Sequence, residues 1–127
     1  MRKLLNHNVP VVLGSDIAGG HTLSMFEVVR YVVQMSKMQF AASEGALAPL
    51  TLSEAFYLAT RSAGEFFAAC GMDKVGSFEK GYAFDALVIE PKYAAPCAAL
   101  EQFIYTGDDR QITHRFCQGA EVLVSDR

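Results

Sequence analysis

The chain has 127 residues, with 11 Lys and Arg against 14 Asp and Glu and a formal charge of −3, so it lacks the basic field that nucleic acid or an anionic membrane surface attracts. Apolar residues make up 51% and charged residues 20%, which excludes intrinsic disorder and suits one packed domain. A mean hydropathy of +0.18 is high for a small monomer and points to a large buried interface, or to a piece of something bigger.

The start, Met1 to Leu5, opens like a signal peptide, but Asn6, His7, Asn8 and Pro10 interrupt it before an apolar core forms. No apolar run approaches the ~18 residues of a membrane span. Cys70, Cys97 and Cys117 are an odd number without C-x-x-C spacing, which predicts buried thiols in a reducing compartment. The expectation is a cytoplasmic protein.

Val9–Leu13 is short, apolar and rich in valine, the pattern of a strand buried on both faces. Gly14 closes it, and Ser15 to Gly20 forms a loop. Ser24 and Glu27 make a capping box that opens a helix. Glu27, Arg30, Gln34 and Lys37 give this helix one wet stripe, and the breadth of the apolar remainder predicts contact on more than one side. Ala41 to Leu50 reads as a loop or frayed helix end. Thr51-Leu52-Ser53-Glu54 is a second capping box, with Leu52, Ala55, Phe56 and Ala59 on one face of the helix it opens. Ser62-Ala63-Gly64-Glu65 is a third, heading a helix that Gly71 terminates.

Beyond Gly71 the period changes. Val75–Phe78 and Phe84–Ile89 read as strands around a Glu79-Lys80-Gly81 turn. A loop lies between Pro91 and Pro96, then a helix carrying Leu100, Phe103 and Ile104, then a turn at Gly107 to Arg110. Thr113–Cys117 and Glu121–Val124 fit a hairpin across Gln118-Gly119-Ala120. Phe56, Tyr57, Phe66, Phe67 and Phe78 are assigned to packing. The expected fold is α+β, four helices over a small antiparallel sheet, with no repeat or linker.

Asp16 is the candidate functional residue. A carboxylate at the carboxyl end of a buried strand, cleared by glycines and followed by a helix, sits where α/β enzymes place catalytic groups. There it could ligate a metal, accept a proton from water, or do both. Aspartate is also common in loops, so spacing alone equally allows a turn cap. Gly14, Gly19 and Gly20 do not match a dinucleotide fingerprint, and Gly20-His21-Thr22 lacks the lysine of a P-loop. The loop and helix start could nonetheless hold an anion. His21 could line the same mouth or simply face water, while His7 and His114 lie elsewhere. A catalytic zinc site takes three protein ligands, and Asp16 with one histidine falls short of that.

Gly14-Ser15-Asp16-Ile17-Ala18-Gly19-Gly20 resembles the end of the last barrel strand in the amidohydrolase superfamily, in its guanine deaminase branch. Ser24 to Arg30, Leu52 to Thr60, Val75 to Gly81 with Phe84 to Ala86, and Phe103 to Ile112 resemble later motifs of that branch in order and spacing. The resemblance implies a metal-dependent (β/α)8 hydrolase that adds water to a purine carbon and expels ammonia, with zinc as cofactor. Asp16 would then be both a metal ligand and a catalytic proton shuttle. A complete barrel needs ~250 residues, and the family's remaining metal histidines and catalytic glutamate have no counterpart here. The resemblance therefore implies a carboxyl-terminal piece. Residues 1–72 would be the last barrel strand, its loop and following helices; residues 73–127 would be part of a small β domain. Such a piece is expected to be inactive alone and to bind no stoichiometric zinc. Its partners would be copies of itself or a missing amino-terminal region, with a purine substrate only in the complete enzyme. A chlorohydrolase-type deaminase and a purely oligomerising or complementing module are the alternatives.

Overall fold

A computed structural model of the chain describes residues 1–90 and 95–122. It is a small α+β arrangement whose core lies between three helices, with a three-stranded antiparallel sheet formed by the later residues. Ser24 accepts from the Glu27 N–H at 3.4 Å and starts α2, Met25–Ala42. Only this half of the predicted capping box forms. At Thr51 both halves form: its hydroxyl accepts from the Glu54 N–H, and its own N–H donates to the Glu54 carboxylate. That box opens α3, Leu52–Ala59.

A second helix, α4 (Arg61–Ala69), follows after the single residue Thr60. The predicted Ser62 box does not form. Ser62 lies inside the first turn, and its hydroxyl donates to the Val11 carbonyl at 2.7 Å instead. Thr60 is the N-cap residue, so Ser62 stands too far into the helix to accept as a cap, and its hydroxyl donates to a distant carbonyl. Gly71 ends the helix with φ +83°, as expected of a C′ glycine. Arg61 binds Glu65 and Glu79 and stacks over Tyr82, fastening α4 to the following segment.

The core is built from α2, α3 and α5, Pro96–Thr106. Val29, Val33, Ala55 and Ile104 are fully enclosed, and Leu13, Phe26 and Phe56 pack on them. Phe26 meets Phe103 edge-on at 4.6 Å. Arg30, assigned to the wet stripe, turns inward to donate to the Ile104 carbonyl, one of the carbonyls left open at the end of α5. Ser36 is the buried polar side chain of α2. It donates to the Val33 carbonyl and accepts from the Leu50 N–H, which holds the 43–50 connection against the helix.

One helix is absent from the sequence reading: α1, Arg2–Asn6. Five residues are too few to persist alone. Arg2 supplies the anchorage, donating to both Glu54 oxygens and to the Ala48 and Pro49 carbonyls.

In the sheet, β1 (Ala86–Ile89) pairs with β2 (Ile112–Cys117), and β2 with β3 (Ala120–Glu121). A 3₁₀ turn, Asp109–Gln111, precedes β2. Gln118 and Gly119 both have positive φ, the backbone of a two-residue hairpin that matches strand twist. The expected hairpin is therefore present, although its end at 123–124 and most of the Pro91–Pro96 loop lie outside the described residues.

Other expectations are corrected. Val9–Leu13 is extended but joins no ladder, and Val9 and Val12 are exposed rather than enclosed. A strand exists only with a neighbour, and the described residues supply none beside it. Val75–Phe78 is not a strand either, because Gly76 turns at φ +82°, at a place where a Cβ would strike the Thr60 carbonyl. Tyr57, Phe66, Phe67 and Phe78 are exposed, not packed; Phe56 alone of that group joins the core. Cys70 and Cys117 are free and exposed, contrary to the buried thiols expected, and the Cys97 side chain is outside the described ones. The second apolar side predicted for α2 exists as Tyr31, Met35 and Met38, each about half exposed or more among the described residues.

Candidate functional site

Asp16 stands at the end of the extended segment, three residues past Leu13, which packs on the core. Two bonds tie the segment to the corner between α3 and α4. The Leu13 N–H donates to the Leu58 carbonyl at 3.2 Å, and the Val11 carbonyl accepts from Ser62. In an extended chain the carbonyl of one residue and the N–H two residues on face the same side, so both bonds hold one edge. The backbone groups of Val12 lie on the other edge and take no partner among the described residues.

Past Leu13 the chain reverses. Asp16 adopts φ +49° and Ala18 φ +73°, both unusual for residues with side chains. The Asp16 carbonyl accepts from the Gly19 and Gly20 N–H groups, closing a tight turn. This overturns the anion-cradle reading for these two donors, since both face the loop's own carbonyl. The glycines have a steric reason. A Cβ on Gly20 would strike the Ser15 carbonyl, and one on Gly19 would come within 2.7 Å of Asp16 Oδ2. The carboxylate thus folds over Gly19, exposed to solvent and free to accept a ligand.

The histidines do not complete a site with it. His21 is exposed and rests on the Tyr31 ring, centroids 4.1 Å apart. His7 is exposed at the end of α1. His114 sits on β2, its Nδ1 2.6 Å from Glu121 Oε1. Among the described residues no group of three or more His, Cys, Asp and Glu side chains is arranged to hold a metal. A zinc ion with three protein ligands is not fitted by these residues alone. The surface also has cavities of about 450 and 530 Å³, one beside Phe67 and Met72 and one at the start of α2, and Asp16 lines neither.

Sequence reasoning singled out Asp16 but missed what holds it. Ser62 is 51 positions from Val11 and Leu58 is 45 from Leu13, and no local pattern announces a serine that reaches a distant carbonyl. The signal for Arg2 was equally silent, since a basic residue near the start reads as solvated.

The amidohydrolase family model matches residues 1–122, so the chain belongs to the amidohydrolase family. Its curated relatives include guanine deaminases from Homo sapiens and Dictyostelium discoideum, each 34% identical over at least 95% of this chain. A probable guanine deaminase of Schizosaccharomyces pombe is 28% identical. Among solved structures, the C. acetobutylicum guanine deaminase crystallised with guanine in its active site superposes on 96% of this chain with a TM-score of 0.86 and 48% identity. The E. coli guanine deaminase, 24% identical with a TM-score of 0.76, shares the fold. The chain spans 29% of the length of the human, D. discoideum and C. acetobutylicum relatives. Among the described residues no helix is long and apolar enough to cross a membrane.

Proposed function

We propose that this chain is the carboxyl-terminal part of a guanine-deaminase-like hydrolase and supplies Asp16 to an active site whose other groups lie outside these residues. The supporting observation is the 48% identity and TM-score of 0.86 to a guanine deaminase that binds guanine, over nearly all of this chain and 29% of that one. On this reading residues 1–72 provide the last barrel strand, its loop and the following helices, and residues 73–127 part of a small β domain. The complete enzyme would use zinc to ready a water for attack on guanine, giving xanthine and ammonia. This chain's own share is to present an exposed carboxylate, held by the turn at Gly19 and Gly20, that binds or takes up a proton.

The isolated chain then has no turnover and binds no stoichiometric zinc. The test is an assay of ammonia release from guanine and aminotriazines and of chloride release from chlorotriazines, on the chain alone and mixed with a polypeptide spanning the other part of the C. acetobutylicum enzyme. Guanine turnover only in the mixture, lost in Asp16→Asn, is the expected result. Turnover by the chain alone overturns the inactivity, and preference for a triazine favours the chlorohydrolase alternative.

A second reading concerns assembly. Tyr31, Met35 and Met38 recur at i, i+4 and i+7 on α2 and are about half or more exposed, Met38 at 63%. A stripe of this kind suits self-association or cover by a complementing chain. Light scattering of the chain alone distinguishes a homo-oligomer from a monomer awaiting that cover.

A further inference from the structure

We propose that Ser62 is a positioning residue for Asp16, acting through the Val11 carbonyl; the functional meaning of that role rests on the assignment of Asp16 to an active site. Asp16 itself touches neither Ser62 nor the core. Its location is inherited from the segment before it, and that segment belongs to no ladder. Two bonds hold one edge of it. One is the backbone bond from Leu13 to Leu58 at 3.2 Å, and the other is the Ser62 hydroxyl to Val11 at 2.7 Å. Ser62 makes the shorter of the two and is the side-chain donor of the pair.

The chain beyond these ties offers little freedom. Between Val11 and Asp16 stand Val12, Leu13, Gly14 and Ser15, with Leu13 packed on the core. The turn on the far side is closed by Gly19 and Gly20 onto the Asp16 carbonyl. The one place without side-chain restraint is Gly14, where a Cβ would meet nothing within 4 Å. A swing at Gly14 is therefore limited by how firmly Val11 and Leu13 are held, and releasing Val11 leaves Leu13, with its one bond and its core contact, as the remaining restraint before the Asp16 turn.

The experiment compares the full chain with Ser62→Ala and Ser62→Thr by amide hydrogen exchange and by the ¹³C chemical shift of the Asp16 carboxyl at one fixed pH. Threonine keeps the hydroxyl; alanine removes it. The expected result for Ser62→Ala is exchange at Leu13 faster by roughly tenfold, the scale of one lost hydrogen bond. The Asp16 carboxyl signal should move as well, while protection at Val29 and Ala55 and the melting temperature stay close to wild type. Ser62→Thr should restore both local signals. Unchanged Leu13 exchange and an unchanged Asp16 signal in Ser62→Ala overturn the proposal. So does an equal loss of protection at Val29 and Ala55, which would make Ser62 a packing residue only. These readouts need no turnover, so absence of guanine deamination in the mixed assay counts against the functional assignment and leaves the Ser62 result to be judged on its own.

Discussion

Gly19 and Gly20 are adjacent, and the structure gives them opposite mutational behaviour. At Gly20 a methyl group would meet backbone, the Ser15 carbonyl, which cannot retreat without opening the turn. Gly20→Ala should lower stability by roughly 1–3 kcal/mol, read from urea melts. At Gly19 the obstacle is the tip of the Asp16 side chain, which can rotate away. Gly19→Ala should leave stability nearly unchanged and displace the carboxylate, so guanine turnover in the complemented assay should fall while the melt does not. Equal effects of the two substitutions on the melt would contradict this account. Glu54 offers a pH-dependent counterpart. Its carboxyl is pulled down to about 2, first by the Arg2 hydrogen bonds, against a desolvation penalty, and further by the bonds from Thr51. A depressed carboxyl contributes stability that is full above its unfolded value and is lost as pH falls from about 4.5 towards 2. The Glu54 side chain is 39% exposed, so solvent screening keeps the effect well short of the full shift. Glu54→Gln should flatten the acid limb of the stability profile between these pH values, as measured by chemical melts at each pH.

Helices were the legible elements. Thr51 and Glu54 satisfy each other locally, so four residues of sequence suffice to locate the start of α3. Thr51→Ala should therefore cost about 1 kcal/mol, seen as a lower melting temperature, with α2 unaffected in amide exchange. Ser62 and Glu65 have the same spacing but no box forms, because the helix starts two residues earlier, with Thr60 at its N-cap, and Ser62 donates to the Val11 carbonyl from inside the first turn. The difference lies in tertiary structure and is invisible in four residues. Strands fared similarly. The Cys117–Ala120 hairpin was readable because Gln118-Gly119 writes its own turn. Val9–Leu13 has the composition of a strand, but composition does not provide a neighbour. Asp16 was legible as a candidate through its place after that segment and among glycines. The ties from Leu58 and Ser62 were not, since each depends on where a distant helix corner comes to rest.

At the scale of the molecule, burial is uneven. Val29, Val33, Ala55 and Ile104 make one enclosed cluster between three helices, and Ile104→Ala should destabilise by roughly 2–5 kcal/mol. Elsewhere large apolar side chains face outward, on α2, along α4 and on both faces of β1, where Leu87 and Val88 are alike exposed. The high mean hydropathy is thus accounted for by uncovered surface more than by a large core. The two methionines on α2 make that surface chemically readable. Thioethers open to solvent convert to sulfoxides under mild peroxide, and those beneath another polypeptide are spared. Mass spectrometry of Met35 and Met38, with exposed Met72 as the internal reference, would record from a single digest whether this helix is bare or clothed at the moment of exposure to the oxidant.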